Sequence, residues 1–188
     1  MYKSLPNVLT IIRILLTPLF VVLMLKGEPD FLLYSLLLIF VISITDFLDG
    51  YFARAYGLVS NLGKYLDPLA DKMFILTVFI TLCFLYPDYI PMWMIVLIVI
   101  RDLVITFLRN FFINKGLDFK TSIFAKNKTL FQIISMHLIL IFLIINEYSL
   151  FYINLDFIYY VMFLCTLVTI ISGTHYIKEY FYLKKNES

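Results

Sequence analysis

Apolar residues run through this chain in long blocks, and most polar positions fall between them. A helix that spans a bilayer needs about 20 largely apolar residues. Six blocks have that length, at 7–26, 31–56, 64–86, 91–114, 127–146 and 154–182. Turn chemistry punctuates them. Lys26-Gly27-Glu28-Pro29-Asp30 closes the first, the segment from Gly57 to Gly63 parts the second from the third, and Pro87-Asp88 with Pro91 parts the third from the fourth. Lys115-Gly116 and a polar run to Lys126 follow the fourth block, and Asn146-Glu147 follows the fifth. The pattern predicts an all-α integral membrane protein of six transmembrane helices, forming one domain over residues 1–188. The second and sixth blocks exceed what a bilayer needs, so they are expected to tilt or to protrude into water.

Composition strengthens this picture. The chain is 62% hydrophobic and 15% charged, against about 25% charged in a soluble domain, and its mean hydropathy is +0.94. Cys83 and Cys165 lie inside apolar runs with no CxxC or Cys/His spacing, so neither a disulfide framework nor a zinc site is expected. Lys3 precedes the first apolar run as in a signal peptide, but Arg13 interrupts the run and no small-residue cleavage site follows. The first block is therefore expected to be a retained helix.

Net charge is only +2, yet its placement is one-sided. With six spans, fourteen of the fifteen Lys and Arg fall on the side of the termini or in the adjoining helix halves, and Lys26 alone falls opposite. The excess of positive charge on cytoplasmic loops then predicts that both termini are cytoplasmic. The segment joining the second and third helices shares that face.

That segment carries the chemistry. Residues 46–72 read DFLDGYFARAYGLVSNLGKYLDPLADK. Asp46 and Asp49 are three apart and share a helix face. Gly50 and Ala53 lie on or beside that face, with Arg54 one turn after Gly50. On the following helix Gly63, Asp67 and Asp71 recur every four residues and form a second stripe. Helices joined by a short connector pack antiparallel, so the stripes can face each other and bring four carboxylates together. Each ionisable residue inside a span costs about 2.5–3.5 kcal/mol on insertion scales, so such a cluster needs cations. Oxygen ligands without His or Cys suit Mg²⁺ or Mn²⁺, and two ions about 3.5–4 Å apart suit phosphoryl chemistry. The glycines leave room for a nucleotide against the helix backbone. Two aspartates alone would read as a salt-bridge network, Asp46 with Arg54 and Asp71 with Lys72; four on matched faces, interleaved with Gly and Ala, read as a metal site. Pro68 is expected to distort the Asp67–Asp71 stripe locally.

The stretch resembles the signature of the CDP-alcohol phosphatidyltransferase family, D-x-x-D-G-x-x-A-R, eight residues, then G-x-x-x-D-x-x-x-D. Asp46, Asp49, Gly50, Ala53, Arg54, Gly63, Asp67 and Asp71 fill every fixed position. The family's six-helix architecture also matches the block count. The resemblance implies transfer of a phosphatidyl group from CDP-diacylglycerol, or a related CDP-linked donor, to an alcohol, with release of CMP. It implies that Asp46, Asp49, Asp67 and Asp71 form the metal site, that Asp71 is also the general base, and that Asp46, Asp49, Gly50, Ala53, Arg54, Gly63 and Asp67 bind the CDP moiety. It further implies a homodimer. No Ser/His or Cys/His pairing points to a covalent intermediate, so direct in-line displacement is expected in a polar cavity at the cytoplasmic face.

A second, basic set bears on the acceptor. Arg101 and Arg109 are eight apart on the fourth helix, with Asp102 and Thr106 alongside. Arg101 lies ten residues past Pro91, or about 15 Å along a helix, so it should face protein or a polar cavity. Asp102 could orient one of the arginines. Lys126, Lys128 and Thr129 open the fifth helix, with Gln132 a turn on. Arginines and lysines converging there would bind a phosphate. The bland readings are a salt bridge of Arg101 to Asp102 or to the aspartate cluster, and positive-inside flanking by Lys126 and Lys128.

The set is similar to the branch of the family that makes phosphatidylglycerophosphate. That branch opens with PN-x-x-T-x-x-R, here Pro6, Asn7, Thr10 and Arg13, and continues with R-E/D…R and GK-x-KT segments, with Ala125 standing in place of the usual glycine. The similarity implies sn-glycerol 3-phosphate as acceptor, its phosphate on Arg101, Arg109, Lys126 and Lys128 and its hydroxyl toward Asp71, with Asn7, Thr10 and Arg13 nearby. Asn7 and Thr10 could instead cap the first helix.

Other acceptors stay open. Inositol phosphate would also want basic residues, and phosphatidylglycerol would be the acceptor in cardiolipin synthesis; serine or choline would not need the cationic set. An ion-coupled transporter would carry polar residues toward the far face, where Leu, Ile, Phe and Val dominate here. Aspartate-rich prenyltransferases lack the D-x-x-D-G-x-x-A-R core. His137 and His175 read as core or interface residues, and Trp93, Tyr86 and Tyr89 as an outer interfacial belt. The expected location is the bacterial cytoplasmic membrane, with the active site facing the cytoplasm.

Overall fold

The structure, a computed structural model, describes the backbone of residues 5–55, 63–114, 123–149 and 151–186. Within those segments it describes the side chains of residues 9–46, 48, 69–108, 111, 127–149 and 151–174. Six helices run in chain order: α1 (Leu5–Leu25), α2 (Pro29–Ala55), α3 (Gly63–Leu85), α4 (Met92–Asn114), α5 (Ile123–Glu147) and α6 (Asp156–Asn186). No strand occurs among the described residues. The helices follow the six apolar blocks closely. α5 begins four residues earlier than its block and α6 runs on to Asn186, because the polar ends of these blocks carry residues that sustain a helix without being apolar.

The helix ends follow from local chemistry. Gly27 turns the chain out of α1 at a positive φ of 71°, a region open to glycine. Pro29 then opens α2, where its missing N–H costs nothing, and Asp30 stands in the first turn, where the helix dipole favours an anion. Asn154 caps α6, its side-chain oxygen accepting from the Asp156 amide at 2.9 Å. The Tyr148 hydroxyl donates to Asp30, tying the loop after α5 to the start of α2.

α1 packs on α2 and α3, α2 on α5, and α6 on both α4 and α5, while α3 touches α4 and α5. The shared core includes Phe20, Ile39, Phe79, Leu82, Ile98 and Met136, all fully buried. Large apolar side chains also cover the outside: Leu15, Phe84, Leu103 and Phe107 are each more than 60% exposed. Such a surface suits lipid, not water. Windows in α2 (Pro29–Asp46), α5 (Asn127–Glu147) and α6 (Asp156–Thr174) are long and apolar enough to cross a membrane. The protein is an all-α membrane protein. α3 and α4 carry charge inside their length, Asp71 and Lys72 on one, Arg101 and Asp102 on the other. Those charges are where the polar interior of the molecule gathers.

Candidate active site

Two charged clusters lie within the bundle. The first joins α1, α2 and α3. Arg13 is 2% exposed, a burial that a guanidinium tolerates only with anionic partners. Its Nη2 stands 2.6 Å from Oδ1 of Asp46, and its Nη1 donates to Oδ1 of Asp71. The two carboxylates remain about a third exposed, at 38% and 35%. α1 reaches them because it packs on both α2 and α3. Thr10, fully buried, lies one turn before Arg13. A small cleft of ≈ 20 Å³ beside the cluster is lined by Arg13, Ser43, Asp46, Asp71, Phe74 and Thr129, among others. Thr129 brings α5 to the same opening.

The second cluster joins α4, α5 and α6. Asp102 is buried, and its two oxygens each accept from Nζ of Lys128 at 2.6 Å. Oδ1 of Asp102 also accepts from Nη1 of Arg101 at 2.9 Å. Nη2 of Arg101 donates to the Ser172 hydroxyl on α6 at 2.8 Å. One turn beyond Lys128, Gln132 is fully buried and its amide nitrogen stands 3.4 Å from the Thr169 hydroxyl.

A strut connects the two clusters. Lys72, next to Asp71 on α3, donates to the Thr106 hydroxyl on α4. That hydroxyl donates in turn to the backbone carbonyl of Asp102 at 2.6 Å. The carboxylate cluster and the basic cluster are therefore held in one frame.

The structure thus brings Asp46, Asp71 and Arg13 together, and separately Arg101, Asp102 and Lys128. Arg13, grouped by sequence with the acceptor residues, lies with the carboxylates instead. Asp49, Gly50, Ala53 and Arg54 lie on α2, Gly63 and Asp67 on α3, Arg109 on α4, Lys126 on α5 and Asn7 on α1; their side chains lie outside the described residues. So do the side chain of His175 and Pro68. His137 bonds the Ile133 carbonyl through Nδ1 at 2.8 Å and meets Phe40 edge-on, as a packing residue does. Sequence reasoning passed over Ser43, Ser172 and Gly173. A serine–glycine pair after the apolar run of α6 was the available signal for the last two.

The ion pairs of the two clusters differ in composition. Among the described residues the first sets two carboxylates against one guanidinium, and the second sets two cations against one carboxylate. Among the described residues the first offers two carboxylates, from two helices, and no group of three or more candidate metal ligands; hard oxygen donors of this kind are compatible with a divalent metal. The second suits an anion.

The protein-family comparison gives the class: residues 3–172 match the model of the CDP-alcohol phosphatidyltransferases, and the chain belongs to that family. The family generally uses a divalent metal. Two curated relatives are named CDP-diacylglycerol–glycerol-3-phosphate 3-phosphatidyltransferase. That of Bacillus subtilis (strain 168) is 31% identical over 94% of both chains. That of Rickettsia typhi is 34% identical over 94% of this chain and 96% of its own. A Drosophila melanogaster protein named "Probable cardiolipin synthase (CMP-forming)" is 42% identical over 100 residues, 53% of this chain and 30% of its own.

Proposed function

We propose that the protein transfers the phosphatidyl group of CDP-diacylglycerol to sn-glycerol 3-phosphate, giving phosphatidylglycerophosphate and CMP. The observation that carries this reading is the pairing of an anion-rich cluster with a cation-rich cluster across one strut. The full-length likeness to the two bacterial relatives points the same way.

Asp46 and Asp71, with Asp49 and Asp67 from the same helices, would hold the metal, Mg²⁺ or Mn²⁺ and as two ions. A divalent metal bound there supplies positive charge to the donor's diphosphate. Gly50, Ala53, Arg54 and Gly63 would line the cytidine diphosphate pocket. Arg101 and Lys128, with Arg109 and Lys126, bind the acceptor's phosphate through charge-assisted hydrogen bonds. Asp102 orients both cations. Asp71 accepts the proton of the acceptor's primary hydroxyl as its oxygen bonds to the phosphatidyl phosphorus and the bond to CMP breaks. Arg13 holds Asp46 and Asp71 at a fixed separation and, with Thr10, borders the acceptor's approach.

In this reading all six helices span the cytoplasmic membrane, both termini face the cytoplasm, and the cavity opens there. The enzyme acts as a homodimer. The second reading keeps the chemistry and changes the acceptor to phosphatidylglycerol; the likeness to the Drosophila protein favours it. An acceptor panel decides between them. Purified protein with CDP-diacylglycerol and Mg²⁺ or Mn²⁺ should release CMP on addition of glycerol 3-phosphate. Release with phosphatidylglycerol or inositol phosphate, but not with glycerol 3-phosphate, would overturn the acceptor assignment.

A further inference from the structure

Arg101 owes its position to α6, a helix to which neither the sequence motifs nor the proposed chemistry gives a role. Three observations converge there. Ser172 is 2% exposed and its hydroxyl proton is committed to the Thr169 carbonyl at 2.7 Å. A hydroxyl has one proton and two lone pairs, so toward Arg101 Ser172 can only accept, which it does at 2.8 Å. A Cβ built on Gly173 would stand 3.1 Å from both Cγ and Nε of Arg101. Carbon contacts are favourable only at about 3.5–4.0 Å. Those two atoms belong to the middle of the side chain, so relief would have to move the guanidinium. Finally, the opposite edge of that guanidinium rests on Asp102, which also holds Lys128.

We propose that Ser172 and Gly173 form a positioning slot on α6 that fixes the Arg101 guanidinium and so sets the anion-binding face it makes with Lys128. Gly173 leaves the groove in which the Arg101 stem lies, and Ser172 receives one end of its fork. Asp102 receives the other end, so the fork is pinned from two helices and cannot swing away when no anion is bound. The slot itself stands on contacts alone; its effect on the acceptor rests on the phosphate-site reading above.

The test uses the purified full chain in detergent. Ser172→Ala should raise KM for glycerol 3-phosphate about tenfold, the loss of one hydrogen bond to a charged group, with KM for CDP-diacylglycerol unchanged. Ser172→Thr, which keeps the acceptor oxygen, should restore most of it. Gly173→Ala should raise the same KM. In an Arg101→Ala background neither change should add anything. A double-mutant cycle on thermal unfolding, run without substrate, reads the 172–101 coupling independently of what Arg101 binds. Coupling in the cycle with no effect of Arg101→Ala on the acceptor KM would keep the slot and sink the phosphate-site reading. No coupling in the cycle, or Ser172→Ala and Gly173→Ala leaving the acceptor KM unchanged while Arg101→Ala raises it, overturns the slot. If Ser172→Ala does not fold, Ser172→Cys, similar in shape and weaker as an acceptor, replaces it with the same expected split.

Discussion

The α1–α3 cluster and the α4–α6 cluster are built from the same groups in opposite proportion. Among the described residues, one guanidinium in the first is shared by two carboxylates that remain partly exposed. In the other, a single buried carboxylate is shared by two cations. Under the proposed chemistry, the acidic composition suits a cation on one side and the basic composition an anion on the other. Their burial differs as well. Asp46 and Asp71 stay about a third exposed, while Asp102 and Lys128 are closed in.

The hardest way to break this contrast is at Asp71. Asp71→Asn should lower turnover by roughly 10²–10⁴-fold, the usual contribution of a general base, while the variant still binds CDP-diacylglycerol. Retained turnover in a steady-state CMP-release assay would remove Asp71 from that role. On the other cluster, Lys128→Ala should raise the acceptor KM by about 10–100-fold, the loss of a charged hydrogen bond, and leave the donor KM nearly unchanged. Equal effects on both substrates would erase the division of labour between the clusters.

A subtler probe is Arg13→Gln. It removes the counter-ion from the carboxylates and should destabilise the chelator-treated protein, by less than the ~3–5 kcal/mol of a fully buried pair because both carboxylates are about a third exposed. Added Mg²⁺ should recover more stability in this variant than in the parent, since carboxylates that have lost the Arg13 guanidinium attract a cation more strongly. Thermal unfolding with and without the ion measures it, and an equal gain in both proteins would disconnect Arg13 from the metal site. The smallest effect belongs to Thr106→Val, which cuts the strut. It should lower kcat/KM a few-fold, about the worth of one hydrogen bond, and an unchanged value would show that the clusters hold their spacing without it.

The two clusters were unequally legible in the sequence. The aspartates sit in one contiguous stretch, which made Asp46 and Asp71 easy to single out, and the structure joins those two through Arg13. Arg101, Asp102 and Lys128 could be picked out because charge is conspicuous in apolar helices, and the Arg101–Asp102 pair was readable from adjacency, but the Lys128–Asp102 pair was not, since it joins residues 26 apart on two helices. Arg13 shows the limit most clearly. Its motif company placed it with the acceptor residues, whereas the packing of α1 against both α2 and α3 delivers it to the carboxylates. Ser172 and Gly173 escaped because their meaning is a contact with Arg101, 71 residues away from Ser172 in sequence. The helices themselves were read nearly to their ends, because apolar runs bounded by Gly, Pro and Asn leave little choice. Spans were harder to read than helices: α3 and α4 are helical as expected, yet carry within their length the charges on which the site is built.

The link from Lys72 through Thr106 to the Asp102 carbonyl is short and made of stiff parts, two helices and one shared hydroxyl. It ties α3 beside Asp71 to α4 beside Asp102, and so fixes the spacing between the two clusters. A molecule with such a fixed spacing works as a gauge: under the proposed chemistry it measures its acceptor from hydroxyl to phosphate, and charge alone does not qualify a molecule that is the wrong length.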